Sequence, residues 1–260
     1  MHSDFLKTVD KAIDVLKLFV FSKNVWGPRE IARTLNINKS SAHRILYTFR
    51  EKKILYLDET NGKYTIGPDL IRIAIALQNQ EPLIHLAKPI MRRYVKDIDE
   101  TLTLFSYRDD KMIFEFKVEA DHALRYELKL GVPYSLHAGV SAKVVLANIS
   151  EEKADALYRM FEEKKLCDVA EVKRRVAFCK KNGYATVSHE RARGLIGFSA
   201  PVTGPGGVFL GGVTLALPEA RYEAEAHRKY CETVVGCAGE ISSAFSDIPL
   251  NPPDPQPEAT

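Results

Sequence analysis

Cysteine is scarce. The chain of 260 residues has four (Cys167, Cys179, Cys231 and Cys237), and no two of them form a CxxC pair. A secretory disulfide framework is thereby excluded, and a reducing cytoplasm is the expected compartment. Long hydrophobic runs are missing too. No stretch reaches the roughly 18 uninterrupted apolar residues of a membrane-spanning helix, and the start, "MHSDFLKTVDKAIDVLK", mixes charges throughout. Neither a transmembrane helix, nor a secretory signal, nor a membrane partner is expected. There is no GxSxG elbow, phosphate-binding P-loop or dinucleotide fingerprint, which removes the commonest enzyme signatures. No charge of one sign dominates, yet the balance shifts along the chain. Residues 1–80 carry 13 Lys and Arg against 8 Asp and Glu, leaving 24 against 26 for residues 81–260 and +3 overall. A basic front on a nearly neutral body points to a polyanion as partner of the first part.

With 45% hydrophobic and 27% charged residues, the chain can bury two cores. Val9, Ala12, Ile13, Leu16, Phe19 and Val20 recur at helical spacing and predict a first amphipathic helix, which "NVWGP" ends. Pro28 suits the first turn of a second helix, "PREIARTLN", with Ile31, Ala32 and Leu35 inward. A third helix begins at the polar cluster Asn38, Lys39, Ser40 and Ser41, with Asn38 or Ser40 as its cap. Ala42, Ile45, Leu46 and Phe49 form its apolar stripe. The other face (Ser40, Ser41, His43, Arg44, Tyr47 and Thr48) is cationic and rich in hydroxyls, which suit phosphate oxygens and base edges. "ILYLDETNGKYTI" then reads as two strands joined through Asn61-Gly62, a two-residue hairpin signal, with Lys63 at the tip. Three helices followed by a hairpin make a winged helix-turn-helix.

The pattern then changes. A linker helix carries Ile71, Ile73, Ala74, Ile75 and Leu77, more apolar surface than a lone connector needs, and breaks near Pro82. Strand-like runs "TLTLFSY", "KMIFEFKVE" and "LRYELKL" follow, then three helices, then strands "LIGFSAPV" and "GVFLGGVTLAL" and a long helix from Tyr222 to Phe245. The expected class is α+β, a sheet flanked by helices with a ligand cavity in its face. The expected domains are 1–68 (winged helix-turn-helix), 69–82 (linker helix), 83–247 (second domain) and 248–260, a Pro-rich tail expected to be disordered.

These motifs together resemble the IclR family of bacterial transcriptional regulators over nearly the whole chain. The similar stretches are "IARTLNINKSSAHRILYTFREKKILY", the wing with "YTIGPDLIRI", "YSLHAGVSAKVVLA", and "GYATVSHERARGLIGFSAPV" with Glu190 and Gly194 in its Glu-x-x-x-Gly segment. The resemblance implies a winged helix-turn-helix joined to a GAF-like effector-binding domain, a dimer or dimer of dimers, a double-stranded, pseudo-palindromic operator and a small organic effector. Departures are also present. Val140 and Ser141 stand where the family often has Gly and Ala, Gly139 where a small hydroxyl residue is common, and Ala142 where Gly precedes Lys143. Val187 replaces a frequent acidic residue, Gly197 a frequent Cys, and Thr214 and Ala216 two frequent serines. Losing these polar positions counts against a glyoxylate-type ligand and leaves an aromatic or branched carboxylate.

The expected DNA contacts are Arg29, Lys39, Ser40, Ser41, His43, Arg44, Thr48 and Lys63, with Arg29 and Lys63 on phosphates. The expected effector pocket comprises His137, Gly139, Val140, Ser141, Val187, Gly197, Ser199, Thr214 and Ala216, with Phe198 adding apolar wall. Small residues at a helix start let the amides of Val140 and Ser141 hold a carboxylate, and His137 adds a hydrogen bond or a charge. An ordinary helix start with a packed histidine is the plainer account of the same stretch. Catalysis is not expected: Ser188, His189 and Glu190 are adjacent, and neighbours on a strand point to opposite faces. Cys231 and Cys237 lie along one helix with His227, but six residues apart they do not share a face, so a metal site has little support; no metal and no cofactor is expected. The competing function is a small-molecule sensor acting through protein partners instead of DNA.

Overall fold

The computed structural model describes residues 6–108, 110–124 and 126–246, with the backbone alone at 78–80. The expected tail at 248–260 lies outside the described residues. The chain divides into two units between Glu81 and Pro82. The first holds α1 (Lys7–Phe21), α2 (Pro28–Thr34), α3 (Lys39–Glu51), β1 (Leu55–Asp58), β2 (Lys63–Ile66) and α4 (Pro68–Gln80). It is a winged helix-turn-helix, as the sequence predicts. Val15, Phe19, Ile31, Ala42, Leu46 and Leu55 have at most 1% of their surface exposed and form its core.

Three details of this unit differ from expectation. In α1 the inward stripe is Ala12, Val15 and Phe19, and Val9, Ile13 and Val20 are 51%, 48% and 47% exposed. One helix face buries a single stripe, so an apolar set wider than that must leave part of itself outside. Asn38 occupies the N-cap of α3, but its side chain accepts no capping bond. The wing turn is longer than two residues: Asp58 pairs with Lys63, leaving 59–62 as the loop. A two-residue turn of the Asn-Gly kind needs positive φ at both positions, and here only Gly62 has it, at +65°. The Asp58 carboxylate sets the alternative by accepting bonds from the Thr60 amide (3.0 Å) and the Asn61 side chain (2.5 Å).

The second unit runs α5 (Pro82–Ile98), β3 (Leu102–Arg108), β4 (Lys111–Val118), β5 (Pro133–Tyr134), α6 (Val140–Asn148), α7 (Glu151–Glu163), α8 (Val169–Asn182), β6 (Ala185–Ser188), β7 (Leu195–Thr203), β8 (Phe209–Pro218) and α9 (His227–Ser246). Its six strands form an antiparallel sheet in the order β5-β4-β3-β8-β7-β6. Because side chains alternate along each strand, the sheet serves two cores. Leu102, Leu104, Phe198, Leu215 and Leu217 face α5 and α9. Phe105, Phe114, Ala185 and Val187 face α6, α7 and α8. The described residues of the run "LRYELKL" (124 and 126–130) are not a strand, although its apolar residues alternate. Pro133 and Tyr134 take the edge beside β4, so the run finds no ladder; it turns Leu128 inward and leaves Leu124 63% exposed. The last helix starts at His227, five residues later than expected.

Candidate nucleic-acid interface and ligand cavity

Burial of Ala42, Ile45 and Leu46 fixes the roll of α3 and turns its other side outward. Lys39, Ser40, His43, Arg44 and Thr48 are exposed, and Ser41 is half-buried. At 100° per residue the outermost line is Ser40, Arg44 and Tyr47. Ser41 and Thr48 lie to one side, lining a groove with Thr8, Val9 and Ala12 of α1. Thr48 also donates its hydroxyl to the Arg44 carbonyl (2.8 Å), so that proton is already used within the helix. Tyr47, 55% exposed, was not among the expected contacts. Its ring lies 4.9 Å below the Arg50 guanidinium, which pairs with Glu51. Arg29 at the start of α2 and Lys63 at the start of β2 are both exposed.

In the second unit a cavity of about 50 Å³ opens on the α6 side of the sheet. Gly139, Val140 and Ser141 from the start of α6, Val187 from β6, Gly197 from β7, and Thr214 and Ala216 from β8 line it, as do Phe114, Tyr126, Leu128, Lys117, Glu190 and Arg191. Gly139 holds φ at +92°, a conformation that favours glycine. Val140 and Gly197 complement each other: a Cβ on Gly197 would lie 2.8 Å from Val140 Cγ1. A cysteine there would collide with this valine.

Three expected pocket residues lie elsewhere. Phe198 follows Gly197 on β7, so it points to the opposite face and packs against His227 and Tyr230. Ser199 is fully buried, donating to the Val213 carbonyl (2.9 Å) and sharing a bond with the Thr214 hydroxyl (2.9 Å). His137 bonds Ser135 (2.6 Å) and meets the edge of Phe161. Burial, followed by the charges of Arg191 and Lys143, holds its imidazole below the usual range, which favours the neutral form.

The charges beside the cavity were not foreseen in the sequence. Glu190 accepts from the Gly139 amide (2.9 Å), forms an ion pair with the fully buried Lys143, and has Arg175 at 3.6 Å. Burial pushes the Lys143 ammonium down, and Glu190 pulls it partly back. Arg191 donates to the Ala138 carbonyl (2.6 Å) and lies over the Tyr134 ring at 5.0 Å. The segment 188–190 is not the continuous strand assumed above: β6 ends at Ser188 and His189 has φ at +60°. No relay results, because Glu190 serves Lys143 while His189 lies 3.5 Å from Glu219. Among the described residues no three His, Cys, Asp or Glu side chains are grouped to hold a metal. No helix among them is long and apolar enough to cross a membrane.

Comparison with known proteins agrees with this geometry. Residues 8–59 match the IclR helix-turn-helix domain, and residues 75–243 match the bacterial transcriptional regulator IclR C-terminal domain. The HTH-type transcriptional regulator BhcR of Paracoccus denitrificans is 25% identical over 242 residues, covering 91% of this chain and 86% of its own. The IclR transcriptional regulator from Alicyclobacillus acidocaldarius superposes with a TM-score of 0.82 at 20% identity, over 93% of this chain and 99% of that one. An IclR homologue from Microbacterium hydrocarbonoxydans, solved with 4-hydroxybenzoate, gives 0.78 at 19% identity, over 92% and 99%. With both of its units matched in order, the chain belongs to the IclR family of bacterial transcriptional regulators.

Proposed function

We propose that the protein reads a pseudo-palindromic operator as a symmetric dimer, and that a small organic acid with an aromatic or branched body modulates this binding from the cavity beside α6. The observation that carries the reading is the combination of an exposed cationic α3 with an apolar cavity that has a charged rim. The 4-hydroxybenzoate held by the Microbacterium homologue supports an aromatic acid as one candidate class. The test is a mobility-shift titration on the promoter DNA beside the gene, repeated with a panel of organic acids. A protein that ignores this DNA under all conditions belongs instead to the sensors that act through protein partners.

Within this reading, Arg44 at the apex of α3 contacts a base. Arg44→Ala is expected to cost about 1–3 kcal/mol on cognate DNA if the guanidinium pairs bidentately with guanine. Equal losses on cognate and scrambled DNA would reassign it to a phosphate. Arg29 and Lys63 are phosphate contacts, so the double alanine variant is expected to weaken all DNA binding and flatten its salt dependence. A salt slope matching the unaltered protein's removes both from the interface.

One module touches too few base pairs for tight specific binding. Ile71, Ile73, Ile75 and Leu77 of α4 are each 47–58% exposed, which supports contact with a second copy. Ile71→Asp with Ile75→Lys is expected to shift sedimentation toward the monomer and weaken operator binding together. Unaltered protein that sediments only as monomer at micromolar concentration, with and without DNA, removes the dimer.

A further inference from the structure

The polar groups on the cavity floor are already spent on one another. The Ser141 hydroxyl shares a bond with that of Thr214 (2.8 Å), and Thr103 donates to the Thr214 carbonyl (3.2 Å). Thr101 accepts from the Ala120 amide (3.2 Å). Just ahead of α6 the Gly139 amide is already taken, since it donates to Glu190. That carboxylate occupies the helix end where the dipole would otherwise favour an incoming anion. A ligand carboxylate placed there would face Glu190, and like charges in a site poor in water repel.

The rim differs. Arg191 leans across the start of α6; a Cβ on Gly139 would lie 2.8 Å from its Nε, so glycine is what lets the guanidinium lie there. Its described partners are neutral: the carbonyls of Ala138 (2.6 Å) and Ser135 (3.4 Å) and the Tyr134 ring. Among the described residues, no carboxylate is paired with it. A guanidinium has five N–H donors in a planar fork, and two carbonyls do not exhaust them. Tyr126 lines the same cavity, and among the described residues none hydrogen-bonds its hydroxyl.

We infer that this rim, and not the start of α6, is the anion seat of the cavity: Arg191 and the Tyr126 hydroxyl hold the carboxylate of a small acid whose apolar body lies against Phe114, Leu128, Val140 and Val187. The inference rests on the organic-acid reading above and names the residues that read the charge. About 50 Å³ holds only a few water molecules. The cavity must therefore widen as a ligand enters.

The experiment is calorimetric titration of the full chain with benzoate, 4-hydroxybenzoate, phenylacetate and 3-methyl-2-oxobutanoate, each beside its neutral primary amide. The unaltered protein is expected to bind at least one acid, with a preference of about tenfold or more over the amide. Arg191→Gln is expected to erase that preference, raising the acid's Kd about 10–100-fold, the worth of a charge-assisted bond. Arg191→Lys restores only part of it, since a point charge replaces a fork. An acid preference that survives in Arg191→Gln overturns the seat. Should that variant not fold, Tyr126→Phe decides: a smaller acid preference with unchanged amide binding supports the seat, and an unchanged preference overturns it. Equal binding of acid and amide by the unaltered protein overturns the seat but leaves a ligand cavity. Failure of every acid overturns both the seat and the organic-acid reading.

Discussion

Glu190→Gln is expected to destabilise the second unit by about 3 kcal/mol at neutral pH, the lower end of what breaking a buried ion pair costs. The Lys143 side chain is 1% exposed and Glu190 21%, so the substitution strands a buried ammonium with little water to compensate. Lys143 can then escape only by losing its proton, and this makes the loss pH-dependent. Burial already holds its pKa below the usual lysine value, and removing Glu190 takes away the main influence in the other direction. A lysine depressed in the folded state binds fewer protons there than in the unfolded chain, so stability rises with pH. The deficit of Glu190→Gln is therefore expected to shrink as pH climbs from neutrality towards 10.5, the ordinary lysine value. The measurement is denaturant unfolding by circular dichroism at several pH values. Adding Lys143→Met is expected to recover most of the loss, because an apolar side chain of similar length needs no partner. A single variant within about 0.5 kcal/mol of the unaltered protein would show that Arg175 or solvent satisfies Lys143, and the pair would lose its structural role.

The same pair shows where the sequence stops being readable. The winged helix-turn-helix was legible because its signals are local: helical spacing, a proline at a helix start, and Asn61-Gly62 between two short strands. Gly139 was legible too, as small residues before an apolar run mark a helix start. Glu190 and Lys143 showed only as motif positions and Arg191 not at all, since in one dimension nothing tells which charges meet. Their roles come from a contact across 47 residues (Lys143 to Glu190) and one across 53 (Ala138 to Arg191). One error was avoidable. Gly197 and Phe198 are consecutive on one strand, so alternation forbids both from facing the cavity. The complementarity of Val140 and Gly197 was invisible for another reason: each departs from the family's habit, and only their contact shows that the two departures compensate.

Trp26→Ala is expected to cost the DNA-reading unit about 3–5 kcal/mol, the usual range for truncating a buried tryptophan, and this residue too gave no sign in the sequence beyond ending a helix. It is 5% exposed and joins three elements. Its backbone exchanges two hydrogen bonds with Tyr64 of β2 (3.0 and 2.8 Å). Its indole N–H donates to the carbonyls of Lys23 (2.9 Å) and Leu18 (3.2 Å) at the end of α1. The Lys23 ammonium lies 4.2 Å from the ring and pairs with Glu30, which in turn reaches the Gly27 amide (3.5 Å) before α2. The wing is thus tied to the body of the unit through a side chain just ahead of α2. Alanine leaves a cavity between α1 and β2, and the Lys23 carbonyl loses its indole donor, while that of Leu18 keeps the amides of Ser22 and Lys23. Because Lys63 adjoins Tyr64, loss of this anchor is expected to weaken DNA binding as well as lower the melting temperature. Trp26→Phe separates the contributions. It keeps most of the apolar volume and loses only the N–H bonds, so its cost is expected to be about 1–2 kcal/mol. Thermal melting by circular dichroism and mobility shift on the same preparations give both readouts. An alanine variant that loses less than about 1 kcal/mol would mean that the wing is held without Trp26. Equal losses for alanine and phenylalanine would place the whole effect in the indole N–H instead of the packing.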